Sequence, residues 1–325
     1  MTLRRIGITL GDPGGIGPEI VLKALAGDYD LPAADYVLFG SVPVLRAEEK
    51  ALGIHFDFGS LKGQRPGRSG TLVFHDIPSA MRRVTKGAPA AKNGRESFRF
   101  FQAAVAAARK GDLQAIVTAP VSKSSWALAG VPWKGHTDYL SYFYRGVIMA
   151  FWSEKLKVAL LSHHVSLKEA LKKIKTEPLL EFFISLDRSL KKVKPGRLEF
   201  LVAGLNPHAG EDGLLGREET GEIAPAIKEA RRQGIKISGP YPPDVVFRSA
   251  LGRSDKIVIA LFHDQGLIPF KLAAFDSGVN VSLGLPFVRT SPDHGTAFDI
   301  AGRNAASPQS LVAAIRLAAA FAASS

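Results

Sequence analysis

The sequence predicts an α/β fold built on a largely parallel sheet, and three observations carry that reading. Short apolar runs alternate with longer amphipathic segments, the pattern of βαβ units. The chain opens on a strand, a glycine turn and a helix start. Later runs such as Ile257–Phe262 are apolar throughout, as strands covered on both faces are. With 325 residues and 46% hydrophobic content, the chain can bury one large core or two modest ones.

In order, Arg5–Leu10 reads as a strand, followed by the turn Gly11, Asp12, Pro13, Gly14, Gly15, Ile16, Gly17. Pro18 suits a first helical position, and Ile20, Leu22, Lys23 and Leu25 carry a helix to Gly27. Such a turn can offer backbone N–H groups to an anion or cofactor. It is neither GxGxxG nor a Walker loop, because no Lys-Ser/Thr follows its last glycine. A tight turn needing positive φ explains the glycines equally well. Tyr36–Phe39 and Thr71–Phe74 are further strands, separated by a polar, Gly-rich surface loop over Gly59–Gly70. Glu96–Lys110 is an amphipathic helix stopped by Gly111, and Ala115–Thr118 is a strand running into Ala119–Lys123. Gly135, His136, Thr137 and Asp138 form a cap or turn that, as part of a site, supplies imidazole and hydroxyl groups. The Ala-rich segment Leu311–Ala323 closes the chain as a helix.

The formal charge of +12 raises nucleic acid as a partner. Much of the excess lies in Lys168–Lys175 and Arg188–Arg197, where basic and apolar residues alternate at helical spacing, which marks solvated helix faces. No zinc finger, aromatic RNP pattern or basic heptad accompanies them, so no nucleic-acid partner is expected. The absence of cysteine excludes disulfides and thiolate metal sites; any metal is held by nitrogen and oxygen. The first apolar stretch is too short for a signal sequence, and no run reaches the roughly 18–20 apolar residues of a membrane span. A cytoplasmic protein without membrane association is expected.

Three apolar runs each deliver histidine at their C-terminal end: Val158–Leu161 leads to His163 and His164, Phe200–Leu205 to His208, and Ile257–Phe262 to His263. In one parallel sheet these imidazoles emerge on the same edge, where such folds keep their chemistry. Three nitrogen ligands leave a coordination position open, as in a catalytic metal site, where a metal polarises a substrate oxygen and lowers its pKa. Zinc fits the ligand type best; cobalt, manganese and magnesium remain open. Asp244 and Asp264 are candidates for carboxylates supporting the ligands or for a further ligand. The spacing alone does not choose between His163 and His164.

Beyond His263, the stretch Ile257–Gly302 adds Lys271, Asn280 and Arg289, then Asp293, His294, Gly295, Thr296, Ala297, Phe298 and Asp299. Cations, an amide and a histidine in what reads as loop after a buried strand point to a small anionic ligand.

Five motifs, GDPGGIGPEI (Gly11–Ile20), GHTDYL (Gly135–Leu140), GLNPHAGEDGLLGREE (Gly204–Glu219), HDQGLIPFK (His263–Lys271) and NVSLGLPFVRTSPDHGTAFDIAG (Asn280–Gly302), together resemble the 4-hydroxythreonine-4-phosphate dehydrogenase (PdxA) family of pyridoxal 5′-phosphate biosynthesis. The match runs in order over nearly the whole chain. The first motif and HGTAFDIAG also resemble turns of the isocitrate and isopropylmalate dehydrogenase fold. The resemblance implies two α/β domains around a central cleft without a GxGxxG Rossmann unit. We expect a cofactor-side domain over 1–130 plus 275–325 and a metal, substrate and dimerisation domain over 131–274.

The family's metal ligands carry over to His164, His208 and His263, and its substrate contacts to His136, Thr137, Lys271, Asn280 and Arg289. Cofactor binding carries over to His294, Gly295, Thr296, Ala297 and Asp299; an acidic residue at Asp299 suits the ribose 2′-hydroxyl of NAD better than the 2′-phosphate of NADP. Ser307 precedes Pro308 where the decarboxylating dehydrogenases carry asparagine, so one adenosine contact departs from the pattern. The resemblance further implies a homodimer with an active site shared between subunits. Its reaction is NAD-dependent and metal-dependent oxidation of 4-phosphooxy-L-threonine at C3, giving a β-keto acid that decarboxylates to 3-amino-1-hydroxyacetone 1-phosphate. Asp244, Asp264 and Lys271 are all candidates for the group that takes the alcohol proton. Relatives that oxidise D-threonate or D-erythronate 4-phosphate offer the nearest alternative substrate, and a three-histidine metallohydrolase or a basic binding protein would be the alternatives outside the family.

Overall fold

A computed structural model describes residues 3–26, 29–56, 59–60, 70–81, 83–193, 196 and 198–323. The helix end expected at Gly27, most of the loop expected over Gly59–Gly70, and part of the basic run Arg188–Arg197 lie outside the described residues. The chain divides into two compact units, 1–144 with 285–325 and 145–284. The boundaries therefore fall about ten residues or more beyond 130 and 274.

The first unit begins β1 (Arg5–Thr9), α1 (Gly17–Ala26), β2 (Asp35–Gly40), α2 (Val42–Leu52), β3 (Gly59–Ser60), β4 (Thr71–Asp76), α3 (Ala91–Arg109), β5 (Ala115–Thr118), α4 (Lys123–Leu128) and α5 (His136–Phe143). The second unit holds β6 (Ile148–Trp152), β7 (Lys157–Leu160), α6 (Leu167–Lys172), α7 (Thr176–Val193), β8 (Glu199–Ala203), α8 (Ala224–Arg232), β9 (Ile237–Tyr241), α9 (Val246–Ala250), β10 (Lys256–Ala260), α10 (His263–Ala274) and β11 (Val279–Leu283). The chain then returns to the first unit for β12 (Val288–Pro292) and α11 (Gln309–Ala322).

Strands of the first unit run in the order β3-β4-β2-β1-β5-β12, all parallel except the short β3. Leu38, Ile6, Ile8, Ile116 and Val117 are buried, as strands covered by helices on both faces require. In the second unit the order is β11-β6-β7-β10-β8-β9, with β7, β10, β8 and β9 parallel and β11 and β6 antiparallel to their neighbours. Its core joins Val158, Leu160, Leu201, Val258 and Ala260 of the sheet to Leu267 and Phe270 of α10.

One element departs from the expected loop. Residues His263–Ala274 form a helix, although Gly266 and Pro269 lie inside it. A Cβ on Gly266 would stand 2.7 Å from the Leu160 side chain and 2.9 Å from that of Val158, so glycine permits the close approach of helix to sheet. Burial of Leu267 and Phe270 outweighs the hydrogen bond that Pro269 forfeits. The basic segments follow the solvated-face expectation in part: α6 pairs Lys172 with Glu169 at 2.8 Å, Lys175 reaches Glu222 at 2.9 Å, and on α7 Lys191 pairs with Asp187. Among the described residues no helix is long and apolar enough to cross a membrane.

Candidate functional site

In the first unit, α5 begins at His136 and β12 presents Arg289. Arg289 pairs in register with Ile116 of β5, which sets its side chain beside Thr118 at the end of that strand. It is only 3% exposed, and burial pushes its guanidinium down to about 9. Its Nε and Nη2 donate to Thr118 Oγ1 at 3.1 and 2.7 Å, and Nη2 also donates to His136 Nδ1 at 3.1 Å.

That last bond fixes the imidazole's state. Arginine only donates, so Nδ1 must accept and a neutral ring carries its proton on Nε2. Burial first, and the Arg289 charge second, hold His136 well below the ordinary imidazole value, which keeps the ring neutral. Its Nε2 is buried and has no hydrogen-bond partner among the described residues. Phe101 and Trp126 hold the ring, with centroids 4.6 and 5.6 Å away. Thr137 is buried beside it. A buried cation next to a buried, unsatisfied N–H has the chemistry to receive an anion.

The neutral ring has a consequence for stability. In the unfolded chain this imidazole takes up a proton below about 6.5, whereas the folded ring stays neutral to lower pH. The unfolded state therefore binds more protons in that window, and stability is lost as pH falls through it. We expect the denaturant midpoint to decline from pH 7 to pH 5, with a contribution from His136 of up to about 1.4 kcal/mol per pH unit. His136→Asn should flatten the decline; an unchanged slope in that variant would contradict it.

In the N-terminal glycine turn several N–H groups are bonded internally. Asp12 Oδ1 accepts from Gly14 N at 2.8 Å, the Asp12 carbonyl accepts from Gly15 N, and the Thr296 carbonyl accepts from Ile16 N at 3.0 Å. Asp12 is fully buried, and desolvation raises its carboxyl above the usual range. Three of the turn's donors are thus engaged inside the protein. What the turn does instead is seat the loop carrying His294, Gly295, Thr296, Ala297 and Asp299: a Cβ on Gly15 would lie 2.7 Å from Thr296. Ala297 takes a positive φ of 41°, while His294 and Asp299 are exposed. Glu19, buried in α1, accepts from Ala306 N at 2.8 Å and fixes the chain just after this loop.

In the second unit β7, β10 and β8 are parallel neighbours, so the segments carrying His164, His263 and His208 leave the same sheet edge. The rings of His164 and His263 have centroids 5.7 Å apart, and His163 lies 5.3 Å from His164. Asp264 Oδ1 stands 2.7 Å from His263 Nδ1, an orienting contact that leaves Nε2 as the lone-pair nitrogen. The Nδ1 of His163 is buried without a hydrogen-bond partner among the described residues, and burial, with the charges of His164, Lys173 and His263 behind it, lowers that imidazole to about 4. His208 is exposed. Among the described residues no three His, Asp or Glu side chains gather as a metal-holding group. Asp244 is exposed ahead of α9, Lys271 is exposed on α10, and Asn280 is half-buried on β11 opposite Phe151.

Several supporting residues were not singled out from sequence. Glu219 is buried and accepts from Leu205 N, Asn206 N and Asn206 Nδ2 at 2.7, 2.8 and 2.9 Å, holding the segment that carries His208. Gln265 accepts from Leu261 N and donates to the Gly204 carbonyl, both at 2.7 Å, joining the ends of β10 and β8. Thr118 closes the strand that the sequence marked only as Ala115–Thr118. Glu219 and Gln265 lie within the quoted motifs, whose acidic and amide positions were the available signal.

Comparison with known proteins agrees over nearly the full length. Residues 32–318 match the family model described as "Pyridoxal phosphate biosynthetic protein PdxA". A 4-hydroxythreonine-4-phosphate dehydrogenase of Aquifex aeolicus is 40% identical over 326 residues, with 97% of each chain covered. A D-threonate 4-phosphate dehydrogenase of Salmonella typhimurium is 39% identical over 324 residues, covering 98% of this chain and 99% of that one. The crystal structure of a 4-hydroxythreonine-4-phosphate dehydrogenase from Klebsiella pneumoniae superposes with a TM-score of 0.84 at 37% identity over 98% of both chains.

Proposed function

The chain belongs to the PdxA family of pyridoxal phosphate biosynthetic proteins, and from that premise we propose that it is a dehydrogenase of a 4-phosphorylated hydroxy acid, with NAD as hydride acceptor and 4-phosphooxy-L-threonine as substrate. Relatives named as dehydrogenases support the reaction class. The observation that carries the substrate class is the buried Arg289 and His136 pair, with Nε2 of His136 lacking a partner. A phosphate or carboxylate placed there satisfies the orphaned N–H beside a buried cation.

Thr137, on the same helix start, adds a hydroxyl donor to that pocket. Lys271 and Asn280 are assigned to the substrate's second anionic end and its amine. Asp299 takes the cofactor ribose, and the Thr296 loop carries the rest of the dinucleotide. Oxidation of the secondary alcohol gives a ketone β to the carboxylate, and such an acid loses CO₂ readily. Asp244, Asp264 and Lys271 all stand as candidates for the group that takes the alcohol proton, Asp264 already in contact with His263.

A divalent metal is part of this proposal. The donor set fits one in its chemistry: two imidazoles adjoin at 5.7 Å, compatible with nitrogens about 2.0–2.1 Å from one ion, and a carboxylate orients His263. When bound it supplies Lewis acidity toward the alcohol oxygen. His208 completes the set from a second copy of the chain. The surface of α10 supports that assembly: Ile268, Leu272 and Phe275 follow one another at helical spacing and are 61%, 85% and 76% exposed. An apolar helical stripe of that kind marks a protein interface.

D-Threonate 4-phosphate is the second reading, favoured by the relative at 39% identity. It keeps the alcohol and phosphate and replaces the amine by hydroxyl. Measured kcat/KM for the two substrates, each with NAD and with NADP, decides between them. We expect NADH formation with 4-phosphooxy-L-threonine at the higher kcat/KM. No NADH with either compound would remove the proposal.

A further inference from the structure

We propose that Lys86 binds the diphosphate of the dinucleotide cofactor; this rests on the Thr296 loop being the cofactor loop. Neither the glycine motifs nor the substrate residues include it, and it lies in a segment between β4 and α3 with no regular secondary structure. The structure nevertheless puts that segment against both glycine motifs of the first unit. Gly87 N donates to the Gly14 carbonyl at 2.9 Å, and the Thr85 carbonyl accepts from Asn93 Nδ2 at 2.7 Å. On the other side, a Cβ on Gly87 would stand 3.3 Å from the Phe298 carbonyl, and one on Gly302 would stand 3.7 Å from Cγ of Lys86.

The ammonium itself is placed by two acceptors. Lys86 Nζ donates to the Gly15 carbonyl at 3.3 Å and to Glu48 Oε2 at 2.6 Å. Glu48 is 2% exposed, so this is an anchored charge and not a solvated surface lysine. Nζ carries three donors and these acceptors engage two, which leaves one N–H for a ligand.

The turn gives such a group a task. A dinucleotide brings two negative charges, and helix-start turns in other folds meet them with backbone N–H groups. Here Asp12 occupies Gly14 N and Gly15 N, and Thr296 occupies Ile16 N, so that of the backbone donors only the first-turn N–H groups of α1 are left to share the load. The neighbouring loop adds Asp293 and Asp299, both acidic. A diphosphate lying along this loop is therefore met by side-chain charge, and Lys86 is the ammonium that touches Gly15 and borders Gly302.

Phosphate could also come from the substrate, so the test separates the two sources. Binding of ADP-ribose and of adenosine is measured by calorimetry on the full-length protein, and the KM of the phosphorylated substrate by steady-state kinetics. Lys86→Gln keeps donors toward Glu48 and Gly15 while removing the charge. ADP-ribose is expected to bind it about tenfold or more weakly, with adenosine affinity and substrate KM unchanged, and Lys86→Arg is expected to restore ADP-ribose binding. Should Lys86→Gln be unstable with Glu48 left unpaired, the double variant Glu48→Gln/Lys86→Gln removes the buried charge altogether and carries the same expectation. Unchanged ADP-ribose binding overturns the proposal, as does an equal loss for adenosine, which a purely structural role produces. A shift confined to substrate KM assigns Lys86 to the substrate phosphate and overturns it too. If the wild-type protein binds neither ADP-ribose nor NAD, the cofactor reading fails first, and the two failures are told apart.

Discussion

Arg289→Ala is expected to lower kcat/KM by about 30- to 5,000-fold, the equivalent of about 2–5 kcal/mol for truncating one partner of a buried charge pair. The guanidinium is buried, held by Thr118 Oγ1 and His136 Nδ1, and pushed down to about 9 by the cost of desolvation. In the proposed reading a substrate anion helps to offset this cost. Alanine removes that attraction and the donor that fixes His136 as its Nε2–H tautomer, so two contacts to the anion fail together. Arg289→Lys separates charge from shape. It retains a cation but loses the planar fork, so we expect a raised KM with kcat falling less than in Arg289→Ala. Thermal melting alongside the kinetics shows whether either variant is folded. An Arg289→Ala protein that melts like wild type and keeps its kcat/KM would falsify the assignment.

The sequence made some of this visible and hid the rest for physical reasons. Strands β5, β7, β8 and β10 were legible because each is a nearly pure apolar run, buried on both faces. The histidine-bearing ends of the last three suggested one parallel sheet, and the order β7-β10-β8 within it came from the structure alone. Helix α10 was not legible, since glycine and proline signal a break, and only the packing of Gly266 against Leu160 and Val158 explains why the helix continues. The role of Asp12 was hidden for a different reason. A glycine turn looks the same whether its N–H groups face a ligand or an internal carboxylate, and only the 2.8 Å bond to Gly14 tells which. Glu219 and Lys86 act through contacts far along the chain, 13 or 14 residues in one case and 38 or 71 in the other. No local period records such partners.

His208→Asn is expected to abolish bound divalent metal and turnover together. From His208 to Asp212 every residue has positive φ, between 45° and 83°, and only Gly210 does so without a steric penalty. Each of the other residues costs about 1–2 kcal/mol in that conformation. Glu219 offsets the strain by accepting from Leu205 and Asn206, and a Cβ on Gly210 would stand 2.7 Å from its Oε2. A backbone held this firmly keeps an exposed imidazole in a fixed place. Asparagine tolerates left-handed backbone, so the variant keeps the loop and loses only the imidazole. Metal content by atomic absorption should drop from about one ion per site to near zero, since a three-nitrogen site reduced to two loses most of its affinity. Turnover should fall in step and return on adding excess metal only in the wild-type protein after chelation. Full metal content in an inactive His208→Asn protein would instead give His208 a role other than ligand. NADH formation by wild-type protein in metal-free buffer would remove the metal from the reaction.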